Sequence, residues 1–397
     1  MALKLLARLQ QKRPLRASIS TNLRHNASVT HREQRSTANR LHGVFICKGQ
    51  KRTPNQYSKF RPPPLQVRNM ADLSQNLSVR LASHEDYDAV IRMSKDIYGD
   101  TDYLPAFYHS FIDAPNTRVF IAVLGKQVVG LLVAIITEGG KAFISTSARI
   151  AAAWRKTGVL WKLEKYQDAW IRQNYPAARY KRATVSSLNK MADAQGHGLR
   201  EVFNMPYVEY KAGPHLWWRQ DPTQLAQLDT TGLPDVTPLQ DPDDDFCTAV
   251  QKTLPSQACG GYDGKPIILA DWDPFTLCPA NLKFLQAENT IYVLNCKGEA
   301  SLSLSSTYST AVVRMMSIQV YAMDFRTLQK HLLKHLQDIS RSYKKDDIHV
   351  SVFAGLEELE DLMHTFCRDT LQMENLMDAK SKCRIIMYEK DMLASHL

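Results

Sequence analysis

The stretch ARIAAAWRKTGVLWKLEKY, Ala148 to Tyr166, has the pattern richest in chemical content. A strand-like run passes through a short loop holding Arg155, Lys156 and Gly158 into helical spacing at Val159, Leu160, Leu163 and Tyr166. The first amides of a helix have no partner inside it, and together with the positive end of the dipole they attract anions. Gly158 allows close backbone approach, so this loop could cradle a pyrophosphate. The same residues also fit an ordinary strand-to-helix turn with solvated cations. A second cluster, Asp96, Tyr98, Asp102 and Tyr103, lies in DIYGDTDYLP. Carboxylates beside aromatic rings can hold an imidazolium or ammonium ion. Equally, the aspartates can cap helices while Tyr103 packs on the core.

Metal chemistry finds little support. The seven cysteines (Cys47, Cys247, Cys259, Cys278, Cys296, Cys367, Cys383) include no CxxC pair, and the twelve histidines form no HExxH. Reduced, mostly buried thiols are expected. His331 and His335, four apart in a leucine-rich helix, read as a solvated helix face rather than as metal ligands.

Charge is distributed unevenly. The formal +10 of the 397 residues divides into +14 over residues 1–71, with 15 Lys and Arg against Glu33 alone, and −4 over the rest. A slightly acidic folded part lacks the basic footprint of a nucleic-acid binder. No apolar run approaches the roughly 18–20 residues of a membrane-spanning helix, so no membrane insertion is expected. The basic tail, opening MALKLLARLQQKRPLRASIS, fits a mitochondrial transit peptide, a disordered extension, or a stretch upstream of a start at Met70. Localisation is correspondingly cytoplasmic, or mitochondrial if the tail is a transit peptide.

The chemical residues need elements to hold them, and these come in two similar series. Residues 77–217 read as strand, helix, three strands, helix and strand, with a turn at Gly125 and Lys126 between two strongly β-type runs. Residues 218–266 carry Pro, Asp and Gly punctuation and read as a connector with one helix. From 267 to 397 the same grammar returns: strands at IYVLNC, ASLSLSS and VVRMMSIQVYA, a helix DFRTLQKHLLKHLQDI, then strand, helix and strand. The expected class is α+β, as a duplicated fold or as two unrelated mixed domains.

Arg155 and Gly158 resemble the first two fixed positions of the acetyl-CoA motif of GNAT acyltransferases, with Leu160 where that motif has Gly or Ala. DIYGDTDYLP, with ILADWDPF (Ile268 to Phe275) and SIQVYAMDF (Ser317 to Phe325), is similar to the vertebrate histidine N-acetyltransferase group. The resemblance implies a GNAT fold over 77–217 and a second, degenerate GNAT-like domain over 267–397. It implies direct acetyl transfer from acetyl-CoA, without a metal, to the amine of a small acceptor such as L-histidine. A catalytically weakened binding or interaction module is the alternative, and acetylation of protein N-termini or lysines a third reading. In the GNAT fold the fourth strand splays from the fifth and pairs with pantetheine. Here that strand is Ile144 to Ala152, so Arg149, Ile150 and Ala151 would line the cofactor, and Arg155, Lys156, Thr157, Gly158, Val159 and Leu160 its pyrophosphate. Asn189 would contact it after the fifth strand, and Asp96, Tyr98, Asp102 and Tyr103 would wall the acceptor site. Close relatives place a glutamate base where Thr146 stands, so the catalytic base is unassigned. The segment DAQGHGLREVF reads as a helix without the family's tyrosine, and Tyr207 and Tyr210 read equally well as strand residues on alternating faces. Asp324, at the corresponding loop of the second half, would repel a pyrophosphate.

Overall fold

The computed structural model describes residues 76–187, 198–252, 254, 264–287, 289–296, 299–377 and 383–393. The basic tail and Asn189 lie outside them. In chain order the elements are β1 (Leu77–Leu81), α1 (Tyr87–Tyr98), α2 (Leu104–Asp113), β2 (Thr117–Leu124), β3 (Gln127–Thr137), β4 (Ala142–Ile150), α3 (Val159–Asn174), β5 (Tyr180–Ser186) and β6 (Arg200–Ala212). The connector holds a one-turn α4 (Trp217–Gln220), the two-residue β7 (Thr237–Pro238) and α5 (Asp244–Gln251). Then follow β8 (Ile267–Ala270), β9 (Asp273–Thr276), α6 (Pro279–Gln286), β10 (Thr290–Cys296), β11 (Glu299–Ser309), β12 (Arg314–Tyr321), α7 (Phe325–Ser342), β13 (Ile348–Ala354), α8 (Glu360–Thr365), β14 (Glu374–Asn375) and β15 (Arg384–Asp391). The helix read over DAQGHGLREVF is a strand from Arg200 onward.

One mixed sheet runs β1-β2-β3-β4-β5-β15-β6-β13-β12-β11-β10-β7. Each half contributes antiparallel strands, then one parallel pair bridged by a helix: β4 and β5 by α3, β12 and β13 by α7. Both series read from the sequence are present, with α2, the β8–β9 hairpin and α6 in addition, as an α+β mixed sheet with flanking helices of the GNAT type. The closing strands, however, are shared. β6 pairs with β13 of the second half, while β15, near the chain's end, lies between β5 and β6.

The sheet has two covered faces because strands alternate sides. On one face α1, α2, α5, α6 and the β8–β9 hairpin pack over a common core containing Val90, Tyr108, Val250, Ile268 and Leu282. On the other, α3 covers Phe120, Leu132 and Phe143 of the first half, and α7 covers Ile318, Val350 and Val352 of the second. Gly130 on β3 lets α3 sit close, since a Cβ there would come 2.9 Å from both Ile150 and Leu163.

α7 corrects one expectation. His331 and His335 are buried, not solvated, with Ser301 and Ser303 of β11 as hydrogen-bond partners at 2.7–2.8 Å. Both fall on the stripe that includes Leu328, Leu332 and Leu336, and the two serines supply the polar partners burial requires. Burial pushes both imidazoles down to about 3, so they are neutral.

Candidate active site

β4 and β5 pair over three residues only, Ala142 to Ile144 against Tyr180 to Arg182. Beyond Ile144 the strands separate, and Ser145, Thr146, Arg149 and Ile150 keep ladder partners in β3 alone. The fork opens where β4 is irregular: Val133 of β3 lies opposite Thr146 and Leu131 opposite Arg149, so one extra residue is accommodated. Ser147, in the left-handed region at φ 56°, absorbs it. The bulge places Thr146 and Arg149, three apart, on the face covered by α1 and α2.

Past the fork the chain turns through Ala152–Trp154 into α3. Gly158 is the N-cap of α3 at φ 86°, with open space where a Cβ would stand, and no side chain caps the helix. The first intrahelical bond of the turn runs from the Lys162 amide to the Gly158 carbonyl. The preceding amides therefore face the loop, where Arg155 and Lys156 are exposed. Arg155 Nε folds back 3.2 Å to the Ile150 carbonyl, and Thr157 Oγ1 donates to the Trp154 carbonyl at 2.7 Å. Val159 is in the core and Leu160 packs against it, so only their backbones can face a ligand. These features fit a phosphate-bearing chain that enters along β4 and ends on α3: an opened ladder, then an uncapped helix N-terminus with two cations.

The Arg149 side chain turns toward the α1–α2 wall. Its side chain is 1 % exposed and forms a two-pronged ion pair with Asp102, 2.6 and 2.7 Å, between the rings of Tyr98 and Tyr103 at 4.8 and 4.7 Å. Asp102 also accepts from the Leu104 amide at 2.9 Å, and Tyr103 donates to Ser147 Oγ at 2.9 Å. The DIYGDTDYLP segment is thus pinned onto the bulge of β4, which commits Asp102 to structure. Asp96 is exposed on α1.

Beside this wall lies a concavity of ≈ 520 Å³ counting its open mouth. Tyr98, Thr101 and Tyr103 line it from the first half, Tyr308 and His349 from the second, and Glu209 from β6. Glu209 is 6 % exposed, and burial pushes its carboxyl up to about 7, opposed by a bond from Ser351. Tyr207, two residues away on the same face, has its hydroxyl 3.3 Å from that of Ser186; Tyr210 points to the opposite core and bonds His364.

The β8–β9 hairpin reaches the fork from the second half. Its two-residue tip, Asp271 at φ 49° and Trp272 at φ 74°, is left-handed at both positions. A tryptophan rarely adopts that conformation and must be held there. Its ring packs edge-on against Tyr207 and Phe353, and Thr184 of β5 donates to its carbonyl at 2.5 Å. Asp273 follows, 8 % exposed, at the start of β9, which packs against β4. Glu209 and Tyr308 carry no local motif, whereas Asp273 lies within the ILADWDPF segment of the family resemblance. A two-residue tip between the apolar runs IILA and DPFT is the local signal for the hairpin that presents it.

No cluster of three His, Cys, Asp or Glu suited to a metal occurs among the described residues, and none of their helices is long and apolar enough to cross a membrane. The family model for the C-terminal part of histidine N-acetyltransferase matches residues 264–354. A histidine N-acetyltransferase of Scomber australasicus is 25% identical over 319 residues, 78% of this chain and 94% of that protein. One from Xenopus tropicalis is 24% identical, covering 64% and 79%, and the human probable N-acetyltransferase 16 is 23% identical, covering 66% and 73%. Among solved structures, a tandem GNAT protein from the clavulanic acid biosynthesis pathway aligns over 80% of this chain and 98% of its own, with TM-score 0.45 and 13% identity. By its motif residues, the matching family model and its likeness to these curated relatives over most of its length, the chain resembles the histidine N-acetyltransferase group and is an enzyme of the N-acetyltransferase class.

Proposed function

We propose that the first half transfers acetyl from acetyl-CoA to the amine of a small cationic acceptor, with L-histidine the leading candidate. The observation that carries this reading is the β4–β5 fork leading directly to the uncapped N-terminus of α3. Pantetheine would pair with the open edge of residues 145–150, and the pyrophosphate would meet the amides after Gly158 with Arg155 and Lys156. That brings the thioester beside the bulge at Ser147, where an irregular ladder leaves backbone groups free to polarise a carbonyl. The acceptor enters from the other side, into the concavity. Tyr98, Tyr103 and Tyr308 offer ring faces, and Glu209 offers a carboxylate that a bound cation would favour in its ionised form. Direct attack needs the amine and thioester held together and a proton accepted, with no covalent enzyme intermediate.

The test is free CoA release by the full chain from acetyl-CoA against L-histidine, other amino acids, small amines and a peptide. Histidine-dependent release supports the reading. Release with the peptide alone transfers it to a protein substrate, and acetyl-CoA binding without release by any acceptor replaces it with a binding module.

A further inference from the structure

Resting on that acetyl-transfer reading, we infer that Asp273, brought across from the second half on the β8–β9 hairpin, takes the proton from the acceptor amine.

Thr146 stands on β4 at the start of the fork, facing the acceptor side, and its hydroxyl cannot act as a base near neutral pH. It does stand beside the β8–β9 hairpin, where its hydroxyl favours the charged form of Asp273. The hairpin thus sets a carboxylate next to this strand residue. Asp273 is more than nine-tenths buried, and its Oδ1 has no hydrogen-bond partner among the described residues. A buried acceptor atom without a donor is costly in a resting fold and useful for a group that must receive a proton.

Other carboxylates near the fork are engaged. Asp102 holds Arg149, Glu138 accepts from Arg182 and Thr276, and Glu389 accepts from Arg182. Glu209 is on β6, separated from β5 by β15 and so about two strand spacings, roughly 10 Å, from the fork. The hairpin is also held in place more firmly than a loop. The left-handed tip is fixed by Tyr207, Phe353 and Thr184, so Asp273 is presented by sheet residues of both halves.

Burial pushes the Asp273 carboxyl up to about 7, with Asp271 adding to the rise and Thr146 opposing it. Near neutral pH such a carboxylate can both accept and return a proton. In the step, the neutral amine's lone pair forms the C–N bond and the carbonyl π pair moves to oxygen. The nitrogen proton passes to Asp273, the oxygen pair re-forms the carbonyl as the C–S bond breaks with its pair leaving on sulfur, and the thiolate takes up one proton, from Asp273 or from water. An acceptor that arrives as an ammonium first gives one further proton to solvent.

The experiment compares the full chain with its D273N variant, and with D273N combined with Thr146→Glu, using L-histidine and acetyl-CoA across pH 5.5–9. The base role predicts that D273N lowers kcat about 10²- to 10⁴-fold while acetyl-CoA affinity, read by calorimetry, stays unchanged. Activity of the unsubstituted chain rises with pH through about 7, as the carboxyl deprotonates, and this limb disappears in D273N. Thr146→Glu, which puts a carboxylate on β4, recovers part of the lost rate. Glu209→Gln separates the second group titrating near 7: it raises the acceptor KM and leaves the limb in place. If D273N does not fold, the limb in Glu209→Gln decides alone, its presence supporting the base and its absence overturning it. Retention by D273N of activity within threefold, in an active protein, overturns the role of Asp273 alone. An unsubstituted chain that acetylates nothing in the panel overturns the acetyl-transfer reading itself, and this inference with it.

Discussion

The two halves use the same parallel pair bridged by a helix to opposite ends. In the first, β4 and β5 part after three residue pairs; in the second, β12 and β13 stay paired over seven, Arg314 to Val320 against Ile348 to Ala354. In the first, the helix begins at Gly158 without a side-chain cap. In the second, Asp324 caps α7 by accepting from the Thr327 amide at 3.0 Å and its hydroxyl at 2.8 Å. The first half opens backbone groups toward a ligand, while the second satisfies the same groups internally. A bulge with a buried ion pair accompanies the open fork, and a regular ladder accompanies the closed one. The lesson is that a duplicated scaffold separates binding from support by a few residues at one strand end and one helix cap. The supporting half still contributes chemistry at a distance, through Asp273, Tyr308 and the exchanged strand β15.

That contrast can be broken at several points. The largest expected effect is from Asp102→Ala, which leaves Arg149 buried without its partner and releases the α1–α2 wall from β4. A loss of about 3–5 kcal/mol in unfolding free energy is expected, read by urea denaturation of the full chain. Next is Gly158→Val. A β-branched residue is strained at φ 86° and would intrude on the cradle, so acetyl-CoA affinity should fall roughly 100-fold, about 2.7 kcal/mol. The matched change in the second half, Asp324→Gly, should cost stability by about 1 kcal/mol or less and leave acetyl-CoA affinity unchanged. Glu209→Gln should raise the acceptor KM by about tenfold with little change in acetyl-CoA binding, as expected for loss of one charged contact.

The smallest effect at neutral pH belongs to the closed half. His331 and His335 titrate near 3 when folded and near 6.5 when unfolded, so below about 6.5 the unfolded chain binds more protons. Their contribution is full above that value and is lost progressively as pH falls toward 3. Near pH 7 it changes stability by roughly a few tenths of a kcal/mol per histidine. Urea midpoints measured from pH 7 to 4 should fall less steeply when both are replaced by glutamine.

Much of the fold is legible locally. The strand, loop and helix around Arg155 and Gly158, the turn at Gly125 and Lys126, and the repeated element order all depend on neighbours within a few residues. Three features depend on distant ones. The bulge at Ser147 puts Arg149 on the acceptor face, which strict alternation of strand side chains does not show. The sharing of β6 and β15 depends on pairings between residues about 180 apart, such as Arg384 with Pro206. His331 and His335 look solvated until Ser301 and Ser303 are placed opposite them. The site divides in the same way. Its cradle is one contiguous stretch, whereas Glu209 and Tyr308 line the concavity from separate strands with no spacing that marks them, and Asp273 comes in on the β8–β9 hairpin.

The most direct test of the open and closed halves is hydrogen exchange of the full chain with and without acetyl-CoA. The account predicts slowed exchange at residues 145–162, along the fork and the first turn of α3, with no change at 318–328 around the start of α7. Protection at 318–328, or none at 145–162 under saturating acetyl-CoA, would contradict it.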